Sequence, residues 1–235
     1  MQVFEEMKAA GEQPNVVTYS ALISAYEKGA QWELARDLFE AMKAARVQPD
    51  VITYSALISA YEKAAQWELA RDVFAEMNAA GVQPDVKSYS ALVSAYEKGA
   101  QWPRAEIAFA EMKAAGVQPD VVRGQGLHSG CPFTLRCTRE TSSTRWVGLG
   151  LHRSPSARQS ENATWVRTGV QVTYNSLISA YGNGEQYERA EAAFDEMKAA
   201  GVKPDAASFS ALIGAYEKAG QDELAREVRA EMKAL

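Results

Sequence analysis

Two kinds of side chain that metal sites and many active sites rely on are scarce in this sequence. It has two cysteines and two histidines, and all four lie in one stretch, at His128, Cys131, Cys137 and His152. No apolar run approaches the ~18 residues of a membrane-spanning helix. Met1–Asn15 is acidic and already helical in pattern, so no targeting peptide is visible. The net charge of −5 also argues against a broad basic surface.

The motifs of common catalytic sites are missing as well. The sequence contains neither the His-x-Glu and Cys-x-x-Cys pair of zinc deaminases nor a Gly-x-Ser-x-Gly or a phosphate-binding loop. Cys131 and Cys137 are separated by five residues, whereas zinc cysteines usually have about two to four residues between them. We therefore expect no enzyme activity, no metal or other cofactor, no small-molecule substrate and no membrane partner.

What the sequence has in abundance is repetition. Val16–Asp50 and Val51–Asp85 agree at 28 of 35 places, and Val86–Asp120 follows the same pattern. The pattern returns at Gln171–Asp205 and again at Ala206–Leu235, where it stops five residues short. A period of this length is typical of proteins built from stacked repeats.

The repeats divide the chain into three parts. We expect residues 1–122 to form one array, beginning with the end of a partial repeat, and residues 171–235 to continue it. Residues 123–170 match no repeat and contain seven arginines and no lysine. Gly, Ser, Thr and Arg dominate this insert, so we expect it to be of low order. The insert lies at a repeat joint and shares neither the composition nor the period of its flanks, which fits a gene-model artefact better than a genuine structural element, although the sequence leaves both open. The partial repeats favour a fragment of a longer array.

Each repeat predicts two helices. In the first repeat, Tyr19, Leu22, Ile23 and Tyr26 form one apolar face of a helix. A second helix should begin about Trp32 and end before the Val-Gln-Pro-Asp motif. We expect the first helices to have hydroxyl N-caps, at Thr18, Thr53, Ser88, Thr173 and Ser208. Short helix pairs bury their apolar faces only by stacking, so the predicted fold is all-α, an α-solenoid of helix-turn-helix repeats interrupted by a largely irregular insert.

These residues resemble the pentatricopeptide repeat family in its plain 35-residue form. The resemblance rests on the Val-x-Pro-Asp endings and on a methionine that recurs at Met42, Met77, Met112, Met197 and Met232. Tetratricopeptide repeats also form helix pairs, but they are one residue shorter and typically have glycine where this chain has Ile23, so they fit the sequence less well. The resemblance covers residues 1–122 and 171–235.

The resemblance implies binding of single-stranded RNA, one base per repeat, by first helices that line a concave side. It also implies a role in RNA processing, stability or translation in mitochondria or chloroplasts, with other RNA-processing proteins as further partners. In the family, the fifth and last places of a repeat read the base. Here these places hold Ser20 with Asp50, Ser55 with Asp85, Ser90 with Asp120, Asn175 with Asp205, and Ser210, whose own partner place is not in the sequence. Serine with aspartate implies guanine, and asparagine with aspartate implies uracil.

Two further places complete the implied site. The second place brackets the base, and it holds Val17, Ile52, Lys87, Val172 and Ala207. A lysine near the end of the first helix approaches phosphate, at Lys28, Lys63, Lys98 and Lys218, while Asn183 replaces it in the fourth complete repeat. We expect Val17, Ser20, Ser24 and Lys28 to share the helix face opposite Tyr19.

Simpler roles fit the same residues. The serines suit a helix surface, the aspartates suit capping of the next helix, and the lysines suit a helix C-terminus. A second function also stays open, a helical-repeat scaffold that binds a protein or peptide partner in its concave face. The groove residues repeat almost unchanged from unit to unit, and this monotony favours a repetitive ligand such as RNA.

Overall fold

The computed structural model describes Phe4, residues 12–117 and the backbone of residues 155–233, with side chains of the second segment from Gly169 onward. Within these residues the chain is helical and has no strand, which confirms the predicted all-α solenoid. The helices are α1 Val16–Lys28, α2 Trp32–Ala44, α3 Val51–Lys63, α4 Trp67–Ala79, α5 Val86–Lys98, α6 Trp102–Ala114, α7 Pro155–Asn183, α8 Tyr187–Ala199, α9 Ala206–Lys218 and α10 Asp222–Lys233. Among the described helices, none combines the length and apolarity needed to cross a membrane.

The N-caps of the first helices differ from the prediction. Helices α1, α3, α5 and α9 are capped by the residue that ends the preceding repeat, namely Asn15, Asp50, Asp85 and Asp205. In α3, the Asp50 carboxylate accepts from the backbone N–H of Thr53 at 2.8 Å and from its hydroxyl at 2.7 Å. The hydroxyl residues Thr18, Thr53, Ser88 and Ser208 are thus the third residues of their helices, and the prediction that they are N-caps is wrong.

Thr173 differs from the other four for another reason. It lies inside α7, which begins at Pro155, and its hydroxyl donates to the carbonyl of Gly169 at 2.9 Å. Its backbone N–H therefore needs no cap, because a helix interior satisfies it.

Left-handed residues end the helices and set the turns. The second helices are followed by Arg46, Gly81, Gly116 and Gly201, all with positive φ. At this place the next N–H returns to the helix, as from Val47 to the carbonyl of Met42 at 3.1 Å. Glycine adopts such a φ without strain, whereas arginine does not. Arg46, with φ of 58°, is therefore the strained member of the set.

The first helices form the inner row of the solenoid. Helices α1, α3, α5, α7 and α9 contact one another in succession. Each second helix contacts its own first helix and the first helix of the next repeat, and within the described residues no two second helices have backbones in contact. Because the first helices are closer together than the second helices, the stack curves toward the first helices and they line its concave side.

Aromatic pairs join each repeat to the next. A Phe of the second helix meets an aromatic ring of the following first helix edge-on, as in Phe39–Tyr54 at 5.4 Å and Phe74–Tyr89 at 5.1 Å between ring centroids. This arrangement is the favoured geometry for aromatic pairs. The recurring Met42, Met77, Met112 and Met197 are buried in the same core, so this methionine place serves packing.

The insert leaves the register of the array intact. Ser55 and Ser88, 33 residues apart, are hydrogen-bonded at 2.7 Å, and the equivalent pair Ser90 and Thr173, 83 residues apart, is bonded at 2.6 Å. The insert thus adds 50 residues between repeats that pack as direct neighbours. Helix α7 begins within the predicted insert, so the backbone of residues 155–170 is helical where we expected low order. Residues 118–154, with the four Cys and His side chains, lie outside the described residues.

Candidate nucleic-acid interface

An exposed stripe runs along the first helices. In α1, Val17 and Lys28 are exposed and stand at i and i+11, a spacing that places them on one side of the helix. Ser24 is half-buried, and its equivalents Ser59 and Ser94 are buried. Val17 is 68% exposed, and Ile52 and Val172, at the same place of α3 and α7, are 57% and 43% exposed. Apolar side chains gain about 25 cal/mol per Å² when they leave water. Three exposed valine or isoleucine side chains at one repeat place are therefore a candidate binding surface.

The other two second-place residues are also at the surface. Lys87 and Ala207 are exposed, so all five residues implied to bracket a base are accessible. Lysine can lay its aliphatic stem along a base while its ammonium reaches solvent. Alanine at position 207 offers the smallest apolar surface of the five.

The fifth-place serines do not lie on this stripe. Ser20, Ser55 and Ser90 are buried, and Ser55 is only 1% exposed. They lie between neighbouring first helices, where the Ser55 hydroxyl contacts that of Ser88. The expectation that Ser20 shares the exposed face with Val17 is therefore wrong. It failed because the sequence does not show which flank of a first helix packs against the next one.

Two implied reading pairs do come together. The Ser55 hydroxyl lies within hydrogen-bonding distance of Asp85 Oδ1, at 3.3 Å, and the Asn175 amide donates to Asp205 at 3.2 Å. Ser20 donates to the carbonyl of Val16 at 2.8 Å, as Ser55 does to the carbonyl of Val51 at 2.7 Å. Unlike Ser55, Ser20 has no hydrogen bond to its implied partner, Asp50, within the described residues. Ser210 is exposed.

In Asp50 and Asp85, one carboxylate oxygen accepts hydrogen bonds and the other accepts none from the described residues. Every hydrogen bond of Asp85 goes to Oδ1, from the backbone and hydroxyl of Ser88 and from Ser55. Asp50 uses only Oδ1 as well. Among the described residues, Oδ2 of both aspartates has no partner. Capping and base reading are thus compatible, because each role uses a different oxygen.

Asp205 shows how these bonds act on the carboxylate. Its partial burial opposes ionisation, but hydrogen bonds from the backbone and hydroxyl of Ser208 and from Asn175 outweigh burial and lower the pKa of Asp205. Asn175 in turn accepts from the Ser208 hydroxyl at 2.6 Å. Asn175 is therefore held by Asp205 and Ser208, which are equivalent to the Asp85 and Ser88 that surround Ser55.

The third repeat differs from the others at the residue that should pair with Ser90. The insert places a valine where the other repeats have an aspartate. Asp85 and Asp205 stand three residues before Ser88 and Ser208, and the residue three before Thr173 is Val170, which is 1% exposed. The Ser90 hydroxyl donates to the carbonyl of Gly169 at 2.9 Å. Asp120, the implied partner of Ser90, lies outside the described residues.

Two of the four lysines are held by glutamates that sequence reasoning missed. Lys63 Nζ lies 2.6 Å from Glu27 Oε1, and Lys98 Nζ lies 2.5 Å from Glu62 Oε1. Lys218 donates to the side-chain oxygen of Asn183 at 2.5 Å. The signal for these pairs was the recurring Tyr-Glu-Lys at the ends of the first helices, which stacking brings into contact between repeats.

Three further charged groups of this series differ from these pairs, and Glu217 of α9 pairs with Arg229 rather than with a lysine of the series. Lys28 has no hydrogen bond or ion pair to any described residue. Glu97 accepts from the Ser179 hydroxyl at 2.8 Å, because Asn183 stands where its lysine partner would be. In the described part of the chain, no group of three or more His, Cys, Asp or Glu could hold a metal ion.

Similar solved structures share this fold. The crystal structure of the pentatricopeptide repeat protein PPR10 from maize is 23% identical and matches 99% of this chain and 26% of that one, with a TM-score of 0.63. The PPR domain of Arabidopsis thaliana protein-only RNase P 1 in complex with tRNA is 12% identical and matches 93% of this chain and 89% of that one, also at 0.63. Nuclear RNase P 2 from the same plant is 13% identical and matches 94% of this chain and 38% of that one, with a TM-score of 0.60.

Sequence comparisons identify the family. The chain spans about a quarter of the maize structure's length, and a comparison with curated proteins gives no match. Two family models match the chain. The model of the PPR repeat family matches residues 14–63, 49–98 and 170–218, and the model of the single PPR repeat matches residues 87–117 and 207–235. These matches cover most of the sequence, and the chain belongs to the PPR repeat family.

Proposed function

We propose that the chain binds single-stranded RNA along the concave row of first helices, one base per repeat. The observation that carries this proposal is the exposed aliphatic side chain that recurs at Val17, Ile52 and Val172. A base held between two such side chains from neighbouring repeats buries both of its apolar faces. The spacing of the repeats then sets the spacing of the bases, as in repeat proteins that read RNA with a few side chains per unit.

The free carboxylate oxygens supply the base selectivity. An ionised carboxylate only accepts hydrogen bonds. Guanine and uracil present an N–H at the centre of their Watson–Crick edge, whereas adenine and cytosine present a lone pair there. Oδ2 of Asp50 and Asp85 therefore favours guanine or uracil and repels the other two bases. The family pattern narrows this to guanine beside Ser20 and Ser55 and to uracil beside Asn175.

The continuous packing across the insert makes the bound RNA continuous too. Because α5 and α7 contact each other directly, the bases facing the second, third and fourth complete repeats are adjacent. The bound bases therefore form an unbroken run in spite of the insert. A likeness to a PPR domain crystallised with tRNA agrees with RNA as the ligand.

We propose that the bound RNA belongs to a mitochondrion or chloroplast and that the chain acts on its processing, stability or translation by occupying the strand. Likeness to the RNase P proteins concerns their helical repeats, since 89% of the PPR domain but only 38% of the longer RNase P 2 is matched. We carry no nuclease activity over to this chain. Other RNA-processing proteins are proposed as partners.

The substitution Asp85→Asn tests whether Asp85 selects the base, because it replaces one hydrogen-bond acceptor with a donor. The asparagine keeps Oδ1 for the cap, as Asn15 does when it accepts from the N–H of Thr18 at 3.1 Å, and it puts a donor where Oδ2 was. We expect preference at that base to change from guanine to adenine or cytosine, by about 1.5 kcal/mol or more, the size of a hydrogen bond to a charged group. Fluorescence anisotropy with four RNAs that differ only at that base measures the change.

The matched control is Asp85→Ala, which removes both the cap and the reader. It should weaken selectivity without creating a preference for adenine or cytosine. If Asp85→Asn binds the four RNAs with the same order of affinity as the parent chain, Asp85 does not read the base. If the parent chain binds no RNA but captures a peptide in its concave face, the scaffold function is correct instead.

A further inference from the structure

The ends of the first helices carry a ladder of ion pairs between repeats. Lys63 of α3 reaches back to Glu27 of α1, and Lys98 of α5 reaches back to Glu62 of α3. Each lysine also donates to the backbone carbonyl of the same glutamate at 3.2 Å. An ammonium has three donors, so two of the three are already used.

The glutamates of these pairs are largely buried, whereas the lysines are more exposed. Glu27 is only 8% exposed, and a pair that is shielded from water and salt keeps more of its attraction than an exposed one. A phosphate that recruits Lys63 must either replace this carboxylate or bind beside it. Either arrangement places the phosphate charge next to the negative charge of Glu27.

The ladder stops at the fourth complete repeat. There the sequence has Gly182 and Asn183 where the other repeats have Glu and Lys. Lys218 consequently meets the neutral Asn183, and Lys28 has no ion pair within the described residues. Lysines with and without a carboxylate partner thus occur at the same place in one array.

We infer that Glu27 and Glu62 hold Lys63 and Lys98 out of phosphate contact, so that Lys28 and Lys218 bind the RNA backbone and the two glutamates set the affinity for RNA. This inference rests on the proposed RNA binding. It differs from the family expectation, in which all four lysines approach phosphate. Glu27 and Glu62 are positioning residues, because they act through the lysines.

The salt dependence of RNA binding distinguishes the two cases. Each phosphate neutralised on a single strand contributes about −0.7 to the slope of log affinity against log salt. Two lysines therefore predict a slope of about −1.4, whereas four predict about −2.8. A purely structural role for the glutamates would leave this slope unchanged.

The test compares the full chain with its Glu27→Gln, Glu62→Gln double variant. The probe is a fluorescein-labelled 12-nucleotide RNA that contains GGGU, titrated from about 0.05 to 0.5 M salt. We expect the slope to steepen from about −1.4 to about −2.8 and the affinity at 0.1 M salt to rise roughly tenfold. Glu97→Gln is the matched control, because it removes a carboxylate at the same repeat place without freeing a lysine, and it should leave the slope unchanged.

A second variant keeps the test decisive if the glutamine variant folds poorly. Lys28→Gln with Lys218→Gln leaves the ladder intact and should flatten the slope of the chain to near zero. A parent slope of about −2.8, or a double glutamine variant with the parent's slope, overturns the inference while leaving RNA binding established. Failure of every chain to bind the RNA overturns the proposed function together with this inference.

Discussion

Deleting Val121–Val170 should give the third repeat a base-reading carboxylate. In the present chain Val170 occupies the place three residues before Thr173, where the other repeats have an aspartate or asparagine cap. The deletion joins Asp120 to Gln171 and so places Asp120 three residues before Thr173 with the period restored. A free oxygen that accepts from guanine forms a hydrogen bond to a charged group. We expect guanine at that base to gain about 1.5–3 kcal/mol over the same base in the parent chain.

The same deletion should hardly change folding stability. It removes the buried Val170 side chain, which stabilises by about 1.5–3 kcal/mol. It adds an aspartate N-cap, which contributes about 1 kcal/mol. It also shortens the connection between α6 and α7, currently residues 115–154, to a few residues, which lowers the cost of closure by roughly 1.5 kcal/mol at about 0.6 kcal/mol per halving. These contributions cancel to within about 1 kcal/mol.

Anisotropy titrations with RNAs that vary at that base, together with thermal melting, measure both effects. The deleted chain that also carries Asp120→Asn is the matched control, and it should prefer adenine or cytosine at the same base. A deleted chain that melts like the parent yet binds all four RNAs as the parent does would refute the idea that the insert displaces a reading residue. A large fall in melting temperature would show that the insert stabilises the array.

Three other predictions concern single residues. Arg46→Gly should stabilise the fold by about 0.5–1 kcal/mol in urea unfolding, because it relieves a left-handed arginine at a place where Gly81 is found. Ser55→Asn should shift the facing base from guanine toward uracil by about 1 kcal/mol in competition binding, and Asn175 shows that the site accepts asparagine; loss of affinity for all four bases alike would contradict this. The stability contributed by Asp205, whose pKa is lower when folded, should be complete above the ordinary aspartate value of 3.8 and should be lost as the pH falls from that value through the lower folded pKa; Asp205→Asn should abolish that part of the pH dependence of unfolding.

The helix pairs could be predicted from sequence because each has its own apolar stripe and its own terminating turn. Trp32 begins α2 as expected. The N-caps were misassigned by three residues, because Asp50 and Thr53 are both good capping residues and the sequence alone does not rank them. The structure resolves the choice in favour of the aspartate and gives Thr53 a supporting hydrogen bond.

The site was only partly predictable, for a geometric reason. Val17 and its equivalents could be placed on the surface from the repeat pattern, but the burial of Ser55 depends on how α3 lies against α5. The same stacking brings Glu27 to Lys63, which are 36 residues apart. Contacts between repeats depend on the rotation from one unit to the next, and no single repeat contains that information.

The central claim is that this solenoid selects RNA by sequence, and one selection experiment tests it directly. The purified chain is equilibrated with a random pool of single-stranded RNA, and the bound fraction is sequenced alongside a parallel selection with the Asp85→Asn chain. We predict that the parent enriches a short guanine- and uracil-rich run and that the variant changes one position of that run to adenine or cytosine. A pool that stays random after selection, or an enriched run that is identical for both chains, would contradict the claim.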